Sequence, residues 1–124
     1  MSLNFDYTYT EVEEDIMIFN LSGEVTESVD NNFKRIVHEK ISGERTFIIF
    51  NMRDIRYINS SGLGLIAGLL KDSRKNKGDI KLCEVQPVIR NILQISKLDK
   101  VFDIFDSYEE ALKAVRNSKD RDVY

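Results

Sequence analysis

The chain has one cysteine, one proline, one histidine and no tryptophan among its 124 residues. The lone Cys83 excludes an intramolecular disulfide and a cysteine-rich metal site, and it suits a reducing compartment. The lone His38 has no second histidine with which to form a catalytic pair or a zinc site. It falls on the side of its helix opposite Val29, Phe33 and Ile36, so it is expected to face solvent. No apolar run approaches the roughly 18–20 residues of a membrane span. Residues 1–6 lack the basic region and apolar stretch of a signal peptide, so the expected location is the cytoplasm. The glycosylation-like triplets Asn20-Leu21-Ser22 and Asn59-Ser60-Ser61 are then coincidences. Basic charge is not concentrated: 18 Lys and Arg stand against 21 Asp and Glu, for a net charge of -3 and a pI of 5.2. Direct nucleic-acid binding, which rests on a basic surface, is not expected.

What is present is an ordinary globular composition, 42% hydrophobic and 31% charged, at a length that suits one domain. The expected domain is 1–117, with 118–124 a charged tail that frays. Residues 5–12 alternate aromatic and polar side chains, Glu13-Glu14-Asp15 makes a turn, and residues 16–21 are apolar, which predicts a hairpin ended by Gly23. Val29, Phe33, Ile36, Val37 and Ile41 recur at helical spacing. The near-continuous Phe47-Ile48-Ile49-Phe50 reads as a strand covered on both faces, followed by a loop over 54–59. A second helix over 61–76, a stop at Gly78 and a strand over 80–83 come next. Pro87 suits a first helical position, with Val88, Ile92 and Ile95 as the inward stripe. A short strand over 101–105 and a capping box at Ser107-Tyr108-Glu109-Glu110 lead into a last helix. The order predicts an α/β fold: a mostly parallel sheet of about five strands, the first antiparallel, with four helices.

The stretch Ile58-Asn59-Ser60-Ser61-Gly62-Leu63-Gly64 puts two hydroxyls and two glycines at a helix start. Unsatisfied amides and the macrodipole favour an anion there by about 0.3–1 kcal/mol, so a phosphate on Ser60 could be accommodated. Ser is equally a favoured N-cap, worth about 1 kcal/mol, and glycine permits close approach of a tight loop. The residue chemistry alone leaves both readings open. Neither a P-loop lysine nor dinucleotide spacing is present, and Glu109 and Glu110 are ordinary first-turn acids. No catalytic, cofactor or metal site is expected, and the chain does not read as an enzyme.

The segment Asn51-Met52-Arg53-Asp54-Ile55-Arg56-Tyr57-Ile58-Asn59-Ser60-Ser61-Gly62-Leu63-Gly64 closely resembles the signature of STAS domains, the family of bacterial anti-sigma-factor antagonists. The likeness extends to Leu21-Ser22-Gly23-Glu24-Val25, to Gly78, and to residues 98–105 leading into Glu109-Glu110-Ala111-Leu112. The resemblance implies a STAS-like single domain that binds an anti-sigma factor, itself a serine kinase, while unphosphorylated. Phosphorylation of Ser60 would release it, a serine phosphatase would restore it, and sigma-factor-dependent transcription would follow. Ser61 and Gly62 would then shape the helix start and belong to the docking surface. The position before the acceptor, commonly aspartate in the family, is Asn59 here, which keeps the capping ability and loses the charge.

Asn59, Ser60, Ser61, Gly62, Leu63, Leu65, Leu69 and Asp54 are the candidate docking residues. Leu65 and Leu69 widen the apolar arc of the second helix, which fits either a helix wedged between neighbours or an exposed contact patch. Asp54 fits either a partner contact or a turn-forming aspartate. A monomer is the expected state. Two other functions fit less of the sequence: an interaction scaffold independent of phosphorylation, and a nucleotide-binding protein using a cleft at the strand ends.

Overall fold

A computed structural model describes residues 4–43 and 46–121. Strand β1 (Phe5–Glu13) and strand β2 (Ile16–Val25) form the antiparallel hairpin, with an irregularity between Glu11 and Glu13. Helix α1 (Asn31–Ser42), strand β3 (Phe47–Ile58), helix α2 (Ser60–Lys75), strand β4 (Asp79–Cys83) and helix α3 (Pro87–Ile95) follow. A 3-10 turn (Leu98–Lys100), strand β5 (Ile104–Phe105) and helix α4 (Tyr108–Arg121) complete the chain. The sheet runs β1-β2-β3-β4-β5, with every pairing after the first parallel.

Both sheet faces are covered, as the apolar runs require. One face carries Phe19, Phe50, Ile80 and Leu82 against Val37 of α1, Ile66 and Leu70 of α2, and Ile89 and Leu93 of α3. The other packs Ile16, Ile18, Phe47, Ile49 and Cys83 against Ala111 and Val115 of α4. The alternating aromatics of β1 serve the first face: Phe5 and Tyr7 meet the Phe33 ring edge-on, with centroids 5.1 and 5.2 Å away. Such contacts add about 0.5–1.5 kcal/mol to the area that each ring buries.

Several elements differ from the sequence expectations. Strand β2 passes through Gly23 and ends at Val25. Gly23 has φ 93°, and a Cβ there would meet the Asn4 carbonyl, so the glycine serves a close backbone crossing within the strand. Strand β3 runs to Ile58 where a loop was expected from 54. Its pairing with β2 slips between Asn20 and Ser22 and again between Gly23 and Glu24. The extra residues fall on β3, so Met52, Ile55 and Ile58 all stay buried at a spacing of three.

In α3 the buried residues are Ile89 and Leu93; of the expected stripe Ile92 packs half-buried against the core, while Val88 is 54% and Ile95 81% exposed. The last strand is shorter than expected, because 101–103 are turn and irregular chain from which Phe102 fills the core.

The expected boundary at 117 falls inside α4. Arg116 bonds Glu13 at 2.6 Å, and Lys119 reaches Asp15 at 2.5 Å and Glu13 at 3.4 Å, which ties the end of α4 to the β1–β2 turn. Residues 122–124 of the expected tail lie outside the described residues. The Ser107 hydroxyl accepts the Glu110 N–H at 3.1 Å, as half of the expected capping box.

Candidate functional site

Parallel pairing puts the C-terminal ends of β2 and β3 side by side, with Val25 opposite Ile58. The chain leaving β3 turns at once into α2. Asn59 is the N-cap: its backbone is extended, and its Oδ1 accepts the Gly62 N–H at 2.9 Å. This satisfies one of the amides that a helix start leaves without an acceptor. The Asn59 N–H donates to the Val25 carbonyl, and the Leu63 N–H closes the first helical bond to the Asn59 carbonyl at 2.8 Å.

Gly62 is buried directly beneath. A Cβ there would meet the Val25 carbonyl and stand 3.0 Å from Ile58 Cγ1, so only glycine lets α2 start this close to β2.

With the cap assigned to Asn59, Ser60 becomes the first helical residue. It is exposed, and among the described residues no hydrogen bond engages its hydroxyl. Ser61 is exposed beside it, while Leu63 and Leu65 are half-buried against the main core. Leu69 is 2% exposed and fully part of that core, which removes it from the docking residues. The wide apolar arc of α2 arises because the helix lies over the sheet with α1 packed alongside it.

Asp54 is exposed on β3 opposite Ser22. Four residues of extended chain, about 13 Å, separate it from Ile58. It lines a different hollow of about 200 Å³, with Asp6, Tyr7, Thr8, Asn20 and Leu21. The structure does not bring it to Ser60.

Two features of the site were missed in the sequence. Gly64 and Gly68 are exposed within α2, and a Cβ at either would meet nothing within 4 Å. Spaced by four, they follow Ser60 along one helix face and leave a strip with almost no side chains. The second feature is Glu27, in the turn after β2. Its Oε1 accepts a hydrogen bond from Asn59 Nδ2 at 2.9 Å, across 32 positions of sequence. That bond, then its own backbone N–H and a lesser contribution from the Ser61 hydroxyl, hold the Glu27 carboxyl below the usual carboxylate range. The sequence signal was a carboxylate two residues beyond the end of a strand that pairs with β3.

Elsewhere His38 is exposed, and Cys83 is buried with its thiol pushed up to about 12, chiefly by burial. A groove of about 620 Å³ lies along the far half of α2, between Ala67, Leu70, Lys71 and Val101. Among the described residues no three His, Cys, Asp or Glu side chains group to hold a metal, and no helix is long and apolar enough to cross a membrane.

A five-stranded sheet with one antiparallel edge, three helices on one face, a fourth on the other and a presented serine at a helix start define a particular class of small α/β domain. The STAS domain profile matches residues 7–111, and the chain belongs to that family. It is similar to the anti-sigma F factor antagonist of Paenibacillus polymyxa, 29% identical over 98 residues that cover 78% of this chain and 84% of that one. The fold is that of the anti-sigma factor antagonist SpoIIAA in its unphosphorylated form, at a TM-score of 0.78 and 23% identity over 90% of this chain and 97% of the other. The phosphorylated form of the Bacillus cell fate determinant SpoIIAA aligns at a TM-score of 0.71 and 24% identity, over 89% and 99%.

Proposed function

We propose that this chain is an anti-sigma-factor antagonist that docks an anti-sigma factor on the face beginning at Ser60 and is released when Ser60 is phosphorylated. The observation that carries this reading is the Ser60 hydroxyl, exposed at the first position of α2 and without a hydrogen bond among the described residues. The strip along Gly64 and Gly68 supports it, because two exposed mid-helix glycines each cost about 0.8–1 kcal/mol of helix propensity and relieve no clash within the domain. A flat face lets another protein's backbone approach closely. The Paenibacillus relative carries the same role in its name.

In the reaction, the γ-phosphoryl group of ATP passes to Ser60 Oγ, the hydroxyl proton leaves to the kinase or to solvent, and ADP departs. The kinase activity belongs to the anti-sigma factor; a serine phosphatase returns the hydroxyl and inorganic phosphate. The chain itself is the substrate and the ligand, not an enzyme. The phosphoryl group adds about -1.5 to -2 charges to a surface that a close interface dehydrates. Each 1.4 kcal/mol of repulsion lowers affinity about tenfold.

Incubation with an anti-sigma kinase from the source organism and ATP tests the reading. Phosphate should appear on Ser60 by peptide mass spectrometry, and the complex formed in ADP should dissociate. A complex that forms equally in ADP and ATP with Ser60 unmodified would replace the switch with a phosphorylation-independent scaffold.

A further inference from the structure

Asn59 directly precedes Ser60 and donates a 2.9 Å hydrogen bond from its side-chain amide to the Glu27 carboxylate. Asn59 therefore works in two directions at once: Oδ1 caps α2 at Gly62, and Nδ2 holds the turn that follows β2. Within the turn the Ser28 N–H bonds Thr26 Oγ1 at 3.1 Å and the Val29 N–H bonds the Thr26 carbonyl at 3.2 Å, between the Val25 carbonyl held by the Asn59 N–H and the buried Val29 side chain.

The identity of residue 59 follows from this pairing. An aspartate would cap Gly62 equally well, but its second oxygen would face the Glu27 carboxylate with no proton between them. Asparagine supplies the donor. The carboxylate of this helix start is present, contributed by a different element of the fold.

Resting on the reading of Ser60 as a phosphoacceptor, we infer that Glu27 is a positioning residue of the site: it tethers the β2–α1 turn to the start of α2 through Asn59, and a phosphate on Ser60 breaks that tether. The phosphate and the Glu27 carboxylate are both anions that compete for the same donor, the Asn59 side-chain amide. One position separates Ser60 from the side chain that holds Glu27. The phosphate, covalently fixed to the helix, stays; Glu27, an exposed side chain held there by one hydrogen bond from Asn59, leaves. Modification then alters the docking face over two elements, α2 and the β2–α1 turn, and does more than add charge at one point. The same tether explains how the turn is held in register with α2 before modification.

The test uses the isolated chain, so it does not depend on any kinase or anti-sigma factor. Phosphoserine is incorporated at position 60 during translation, and nuclear magnetic resonance follows the Asn59 side-chain amide and the exchange of the backbone amides of 26–29. In the otherwise native chain, phosphoserine should shift the Asn59 side-chain resonances and speed exchange of the turn at least threefold. In Glu27→Gln, whose neutral amide oxygen still accepts from Asn59, the phosphoserine effect should fall below half of that. Without phosphate, Asn59→Asp should loosen the turn similarly. The double variant Asn59→Asp/Glu27→Gln, with donor and acceptor exchanged, should restore it to within twofold of the native chain. An unchanged turn in the phosphoserine chain overturns the inference while leaving the docking role of Ser60 intact. So does an equal response in Glu27→Gln, or a folded double variant that fails to recover.

Discussion

Gly62 rests against the carbonyl of Val25 so closely that no side-chain atom fits between them. This single contact fixes where α2 begins relative to β2, and with it where Ser60 stands. Gly62→Ala should therefore destabilise the domain by roughly 1–3 kcal/mol, as insertion of an atom into a packed site does. Chemical denaturation with urea measures the loss, read as a lowered midpoint at unchanged slope.

Gly68 offers the opposite case on the same helix. It is exposed, its Cβ position is open and its backbone is helical, so Gly68→Ala should stabilise the chain by about 0.5–1 kcal/mol in the same titration. The docking reading adds that Gly64→Gln keeps the fold and its midpoint but weakens capture of the anti-sigma factor, because a long side chain now stands on the strip. Undiminished capture by Gly64→Gln would take the strip out of the interface.

The end of α4 should respond to acid. Arg116, and then Lys119, hold the Glu13 carboxyl below the usual carboxylate range, and Asp15 foremost holds the Lys119 ammonium above its ordinary value. A carboxyl lowered in the fold contributes stability at neutral pH that disappears as pH falls through the lowered value. A raised ammonium contributes stability that persists until pH climbs through the raised one. The protection factors of the amides in the last turns of α4, with exchange referred to its intrinsic rate at each pH, should thus hold from neutral to mildly alkaline pH and fall in acid. Glu13→Gln should exchange faster already at pH 7 and lose most of the acid dependence.

Cys83 should behave as a core residue. With its thiol at about 12, the thiolate fraction at pH 8 is roughly 10³-fold below that of a free cysteine, before burial slows access further. Alkylation of the folded chain should be slower than that of the urea-unfolded chain by at least this factor. Rapid modification in the folded state would contradict the packing of β4 against α4.

Much of the fold could be read from local pattern. The hairpin, the buried run 47–50, Pro87 at a helix start and the Ser107 cap are each decided by neighbours in sequence, and each is found where expected within a few residues. What escaped were features decided by pairing across the sheet. Met52, Ile55 and Ile58 follow neither a period of two nor one of 3.6, because two bulges against β2 reset the alternation. Leu69 and the inward face of α3 depend on which neighbour each helix meets, and a short helix with apolar residues at 88, 89, 92, 93 and 95 offers two faces to choose from. The candidate site divided in the same way: Ser60 was singled out through the resemblance of its segment to a family signature, while Glu27 became visible only when Val25 and Ile58 were seen to be opposite one another.

The most direct measurement is the dissociation constant of the complex with the anti-sigma factor, taken by calorimetry for the native chain, Ser60→Ala and the chain carrying phosphoserine at position 60. The account predicts that Ser60→Ala binds within about threefold of the native chain and that phosphoserine weakens binding by at least about tenfold, or 1.4 kcal/mol. Equal constants for all three chains would contradict it.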